Sequence, residues 1–196
     1  MINVIMRNKI KAELKESIAV KSAIIEKCLP EIETAAQLCI EALKSGHKII
    51  FCGNGGSAAD AQHLAAELIG RFLKNRKALP AIALTTNSSI LTCLANDFGY
   101  ETIFARQIEG LAMAGDIVIG ISTSGNSKNI TLGFNKAKEI GCKTIGLLGY
   151  DGGPNAKAAD LAIIVPGKAT PRIQESHITI GHIICGLIEE ALFLNA

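Results

Sequence analysis

Tryptophan is absent from the 196 residues, and only eight side chains are aromatic, six Phe and two Tyr. A core without many large rings has to be built from Ile, Leu, Val and Ala, as when helices pack on a sheet. No apolar run approaches the ~20 residues needed to span a bilayer, so no membrane segment is expected. The first residues, Met1 to Met6 followed by Arg7 and Lys9, lack a signal-peptide core and a cleavage motif. The six cysteines, Cys28, Cys39, Cys52, Cys93, Cys142 and Cys185, include no Cys-x-x-Cys pair and sit among apolar neighbours. That argues against a disulfide framework or a thiolate zinc site; they read as reduced, small core residues of a cytoplasmic protein. Formal charge is only +2, with acids and bases interspersed, so the concentrated basic face of a nucleic-acid binder is missing. Low-complexity tracts and repeats of ~20–50 residues are missing as well. What is abundant is apolar surface: 48% hydrophobic residues and a mean hydropathy of +0.31. That is high for a monomer in water, and burial in an oligomer is the simplest remedy.

The length fits a single domain over residues 1–196, since domains commonly run ~100–200 residues. Ile10, Leu14, Ile18 and Ile25 recur at helical spacing and predict a helix over about residues 7–28. Pro30 interrupts it, a second helix follows from about Glu31 to Lys44, and Gly46 stands where a C-terminal cap belongs. Short apolar runs then alternate with helical patterns. Strands are predicted at Lys48–Cys52, Ala81–Leu84, Asp116–Ile121, Thr144–Leu148 and Leu161–Val165. Helices are predicted at Ser57–Phe72, near Ser88–Ala95, at Ser127–Ile140 and over about Arg172–Phe193. Uninterrupted apolar strands separated by helices indicate an α/β fold, a parallel sheet covered on both faces. The N-terminal helix carries a wider apolar stripe than a lone surface helix needs, so residues 1–45 are expected to pack against partner subunits. Packing on its own domain is the alternative.

Two strand-to-helix junctions resemble each other: Gly53-Asn54-Gly55-Gly56-Ser57 and Ser122-Thr123-Ser124-Gly125-Asn126-Ser127. Both fall at carboxyl ends of strands, where open α/β sheets bind ligands. The second junction brings four hydroxyls, a Gly and an Asn to a helix start, where backbone N–H groups and the helix dipole favour phosphate. Ordinary N-capping accounts for one such hydroxyl, not four. The first junction is neither a phosphate loop with Lys before Ser/Thr nor a dinucleotide fingerprint; paired with the second, it suggests one ligand held from two sides.

His63 and Glu67 share a helix face four residues apart. Such a pair can bind a divalent metal, work as a base and its positioner, or be a solvated ion pair. The last helix adds Gln174, Glu175, His177 and His182. His177 reads as a packing residue, while His182, between Ile180-Gly181 and Ile183-Ile184, needs a partner if buried. Asn96 and Asp97 could bind sugar hydroxyls, but on pattern alone Asn96–Tyr100 reads as a turn.

Taken together, Cys52–Ser57, His63 to Glu67 with Gly70-Arg71, Asn96-Asp97-Phe98-Gly99, Gly120–Ser127, Asp151-Gly152-Gly153 and Arg172-Ile173-Gln174-Glu175 resemble the phosphoheptose (sedoheptulose-7-phosphate) isomerases. These belong to the sugar-isomerase (SIS) domain family, and the resemblance covers nearly the whole chain in order. It implies a three-layer α/β/α sandwich with a five-stranded, flavodoxin-like parallel sheet, and a homotetramer with active sites between subunits. It also implies conversion of D-sedoheptulose 7-phosphate to D-glycero-D-manno-heptose 7-phosphate for a bacterial surface polysaccharide. Carried over by position, Glu67 and His182 would be the acid–base pair. Asn54, Gly55, Gly56, Ser57, Glu67, Asn96, Asp97, Ser122, Thr123, Ser124, Ser127 and Gln174 would contact substrate. His63, Glu67, Gln174 and His182 would hold one Zn2+ in members that bind it. Gln174 and His182 are ~12 Å apart along a regular helix, so sharing one ion requires a frayed helix start, leaning side chains or a water. Pro171 stands where some members carry Asp, and Ala58 and Ala59 replace larger residues.

Three relatives compete with this reading. A protein that associates with the DnaA replication initiator keeps both loops but lacks the carboxylate and late histidine, which are present here as Glu67 and His182. Sugar-phosphate-sensing regulators carry a DNA-binding segment, and arabinose-phosphate isomerases carry extra C-terminal domains; neither is found in this sequence.

Overall fold

The computed structural model describes residues 2–193. Helices α1 (Ile2–Lys27) and α2 (Leu29–Lys44) precede the sheet. The expected interruption falls at Cys28, between the two helices, and Pro30 occupies the first turn of α2, where its missing N–H would be unsatisfied anyway. The alternating part comprises β1 (Ile49–Gly53), α3 (Gly56–Ile69), β2 (Ala81–Ala83), α4 (Ser88–Phe98), α5 (Ile103–Leu111), β3 (Ile117–Ser122), α6 (Lys128–Ile140), β4 (Lys143–Leu148), α7 (Gly153–Ala158), β5 (Leu161–Ile164) and α8 (Thr170–Phe193).

All five strands are parallel, in the order β2-β1-β3-β4-β5. The chain therefore leaves β1 toward one edge and returns to build toward the other, which makes the β1–β3 boundary the switch point. Gly53 pairs with Ile121 there, so the two glycine- and hydroxyl-rich junctions emerge side by side.

Strand periodicity sends alternate side chains to opposite faces. Ile49, Phe51, Ile117, Ile119, Ile121, Ile145 and Leu147 pack with α2, α3 and α8. Ile50, Cys52 and Val118 pack with α5 and α6 through Phe104, Ile108, Ile130 and Phe134. Burying each such side chain contributes ~1.5–3 kcal/mol, and both faces being covered explains why the strands read as unbroken apolar runs. Helix α1 is held to this body by Val20 and Ile24. Its stripe of Ile10, Leu14, Ile18 and Ile25 is 53–64% exposed, so the chain does not cover it with its own domain.

Three local readings are corrected. The stretch expected to turn at Asn96 is helical through Phe98, because only Gly99, at φ 89°, can take the backbone out. Helices α5 and α7 were not expected. Cys93 is exposed and donates to Asp97 Oδ2 at 3.4 Å; the other five cysteines are free and buried. No helix among the described residues is long and apolar enough to cross a membrane.

Candidate active site

The Ser122–Ser127 turn is built as a cup. Ser122 Oγ lies 3.0 Å from Ser127 Oγ and 3.5 Å from Ser124 Oγ, so three of the four hydroxyls converge above the start of α6. Thr123 stands half-buried beside them. Gly125 turns the chain at φ 68°, and a Cβ there would meet the Gly152 backbone at 2.5 Å, so only glycine fits. The wholly buried Asn155 braces the turn from behind. Its Oδ1 accepts from Ser127 N at 3.2 Å, its Nδ2 donates to Ser127 O at 2.9 Å, and its own N–H donates to Gly125 O at 3.0 Å. A cleft of about 830 Å³ opens beside the cup, lined among others by Ser124, Asn126, Tyr150, Asp151, Lys168 and Thr170, a size suited to a small ligand.

On the other side of the cup, Asn54 and Asn129 form a reciprocal amide pair at 3.0 and 2.9 Å, and Tyr100 Oη donates to Asn54 Oδ1 at 2.9 Å. Asn54 thus ties the first junction to α6. In that junction Gly55 takes φ 58°, and Ser57 is buried with its N–H on Asn54 O at 3.0 Å. The Gln174 amide packs directly on Gly56, so a side chain there would displace it.

Helices α3 and α8 run side by side in the same direction. Gln174 meets Gly56 near the start of both helices, and Gly181 and His182 meet Leu64 and His63 two turns further on. Gly181 permits the approach, since a Cβ there would lie 2.5 Å from Leu64. His63 Nε2 is 2.9 Å from Glu67 Oε1 and 3.2 Å from His182 Nε2, and the three donor atoms fall within 4.8 Å of one another. An imidazole Nε2 offers either one hydrogen or one lone pair, so His63 cannot satisfy both partners at once. A shared cation removes that conflict. Two nitrogen ligands on a tetrahedral zinc stand about 3.3 Å apart, close to the spacing between the imidazoles.

Gln174 is the fifth residue of α8, not a frayed end, and its amide lies over Gly56. Asp60 was not singled out from the sequence. Burial raises its pKa, against the lowering effects of the His63 and Gln174 side chains nearby, and one of its oxygens is buried without a partner. It lies one turn before His63 on α3, facing the same group of side chains. Asn96 and Asp97 are exposed at the end of α4 and bond each other at 2.8 Å. Neither Glu67 nor His182 lines the two clefts that open beside the cup.

The SIS domain family pattern matches residues 14–149. A phosphoheptose isomerase of Clostridium acetobutylicum is 54% identical over 190 residues, covering 96% of this chain and 97% of that protein. Another, from Nitratiruptor, is 56% identical over 186 residues, covering 95% of this chain and all of its own length. The solved phosphoheptose isomerase of Neisseria gonorrhoeae superposes with a TM-score of 0.90 at 40% identity, covering 94% of this chain and 99% of that one.

Proposed function

The chain belongs to the SIS-domain family, among its phosphoheptose isomerases, and from that premise we propose that it interconverts D-sedoheptulose 7-phosphate and D-glycero-D-manno-heptose 7-phosphate. The observation that carries the reading is the meeting of Glu67 and His182 from two helices at His63, whose Nε2 is 2.9 Å from Glu67 Oε1 and 3.2 Å from His182 Nε2, with a hydroxyl cup suited to phosphate at the neighbouring strand end.

In the ketose-to-aldose direction, Glu67 removes the proton from the hydroxyl-bearing carbon beside the carbonyl. The C–H electrons become the enediol double bond, and the carbonyl oxygen takes a proton from His182. Collapse of the enediol reverses the roles: His182 accepts the proton of the other hydroxyl, and Glu67 returns its proton to the former carbonyl carbon. Each proton transfer contributes ~10²–10⁴-fold. Ser122, Thr123, Ser124 and Ser127, with the first N–H groups of α6, anchor the remote phosphate so that the reacting carbons are held in place. Gly55, Gly56 and Ser57 line the facing junction, while Asn54, Asn96 and Asp97 are assigned to the sugar hydroxyls. His63, Glu67 and His182 would hold Zn2+, with Gln174 as the assigned fourth ligand. Bound there, the ion would polarise the carbonyl oxygen.

A homotetramer in the cytoplasm is part of the proposal, with residues 1–196 as one domain and residues 1–45 as its assembly element. The exposed α1 stripe supports it. So does the lining of the clefts beside the cup, which includes neither Glu67 nor His182 and which a neighbouring subunit would complete.

Incubating purified protein with sedoheptulose 7-phosphate should yield the aldose heptose 7-phosphate. Glu67→Gln and His182→Gln should bind the sugar and lose at least ~10²-fold in kcat. Absence of product from the wild type sinks the substrate; wild-type rates in both variants sink the assigned roles.

A further inference from the structure

Glu67 and His182 sit on different helices, and their own polar contacts are too exposed to fix a distance between those helices. A second cluster, away from the reacting atoms, does so. Glu189 follows His182 by seven residues, two helical turns along the same face of α8. Its carboxylate accepts from Phe72 N at 3.1 Å, Leu73 N at 2.8 Å, Lys74 N at 2.6 Å and Arg76 Nε at 3.0 Å. The rest of the Arg76 guanidinium closes the end of α3. Nη2 donates to Glu67 O at 2.8 Å, and Nη1 donates to Leu68 O at 2.7 Å, Lys77 O at 3.1 Å and Gly70 O at 3.2 Å. The folded-back segment lays Phe72 against α8: its ring centroid is 5.6 Å from that of His182, and a Cβ at Gly186 would touch it at 3.4 Å.

We infer that Glu189 and Arg76 are positioning residues, a latch that sets His182 against Glu67 by holding the Glu67 carbonyl at one end and the Phe72 ring beside His182 at the other. The side chains are 3% and 0% exposed. A buried ion pair is weak evidence of a gain in stability, because apolar residues of similar volume often do as well. What this pair supplies is direction, with four carbonyls and three N–H groups fixed to two rigid planar groups. The inference rests on the isomerase reading and deepens it.

The test compares Glu189→Gln, Arg76→Lys and Phe72→Leu with wild type, using sedoheptulose 7-phosphate and protein verified by circular dichroism and gel filtration. Glu190→Gln, an exposed neighbour on α8, is the control. Loss of groups that orient catalytic ligands typically costs about 10–100-fold. The latch variants should therefore lose about that in kcat with KM within about twofold, while Glu190→Gln keeps both constants. Folded variants with wild-type kcat, or a raised KM at unchanged kcat, overturn the latch. Should the two polar variants fail to fold, Phe72→Leu decides, and wild-type kcat in it overturns the latch. Nitrogen NMR of the His182 imidazole gives a readout independent of turnover. Signals displaced in the latch variants but not in Glu190→Gln support the latch, and unchanged signals overturn it. A wild type that fails to turn over this sugar sinks the substrate instead, and the imidazole signals then judge the latch alone.

Discussion

His177 is wholly buried on α8. Its Nε2 lies 2.9 Å from the Leu148 carbonyl, which can only accept, so Nε2 carries the hydrogen; Nδ1 is buried without a partner. Burial outweighs that hydrogen bond and pushes the pKa down to about 4. The unfolded chain binds this proton below about pH 6.5, the folded chain only below about 4. The stabilisation is therefore complete above pH 6.5 and is lost as pH falls toward 4, a total of about 3 kcal/mol. Urea unfolding should show about 2 kcal/mol of this loss between pH 7 and pH 5, and His177→Gln should abolish that part of the slope. An unchanged slope in the variant assigns the effect elsewhere. The contrast with His182 was legible in the sequence only as two histidines on one helix, one of them in an apolar setting. His177 lies in the core, as a packing residue should, and His182, half-buried, finds its partner in His63 on α3.

At the scale of elements, strands were legible because a doubly covered parallel strand leaves no polar interruption, and the serine turn because four hydroxyls exceed any capping need. Helix α5 was missed because Arg106, Gln107, Glu109 and Gly110 break its short apolar face, although Gln107 is itself buried and bonds Leu84 O and Ile103 O. Helix α7 was missed because it is six residues long and opens with Gly153-Pro154 after Gly152. Asn155 had no local signal at all, since the turn it braces lies 28 residues earlier. Its role predicts a separable defect. Asn155→Ala leaves buried partners on Ser127 and Thr131, a penalty of ~1–3 kcal/mol that falls on the phosphate cup and not on Glu67 or His182. KM for the sugar phosphate should rise about 10-fold, with kcat within about threefold of wild type, as measured by steady-state isomerisation. A fall in kcat at constant KM would show that the turn does not grip the remote end.

At the scale of the whole molecule, the apolar excess in the composition reappears as one continuous feature. Val4, Ile5, Met6, Ile10, Leu14, Ile18 and Ile25 are all exposed along α1, and a stripe of that length on a helix in water calls for a covering surface. Its position is tied to the site. Arg172, two residues before Gln174, donates to Glu13 O at 3.2 Å and pairs with Glu13 Oε2 at 3.5 Å, so anything seated on α1 bears on the start of α8. Carboxylates introduced at exposed positions cost an isolated chain little, but within a subunit seam each would be a buried, unpaired charge. Leu14→Glu with Ile18→Glu should therefore leave helix content unchanged by circular dichroism. On the proposed assembly, sedimentation should show a species smaller than the wild type, and kcat/KM should fall at least ~10-fold because the site proposed to lie between subunits is opened. Wild-type mass with wild-type activity would place the seam elsewhere. Smaller mass with full activity would instead make each subunit's site complete on its own.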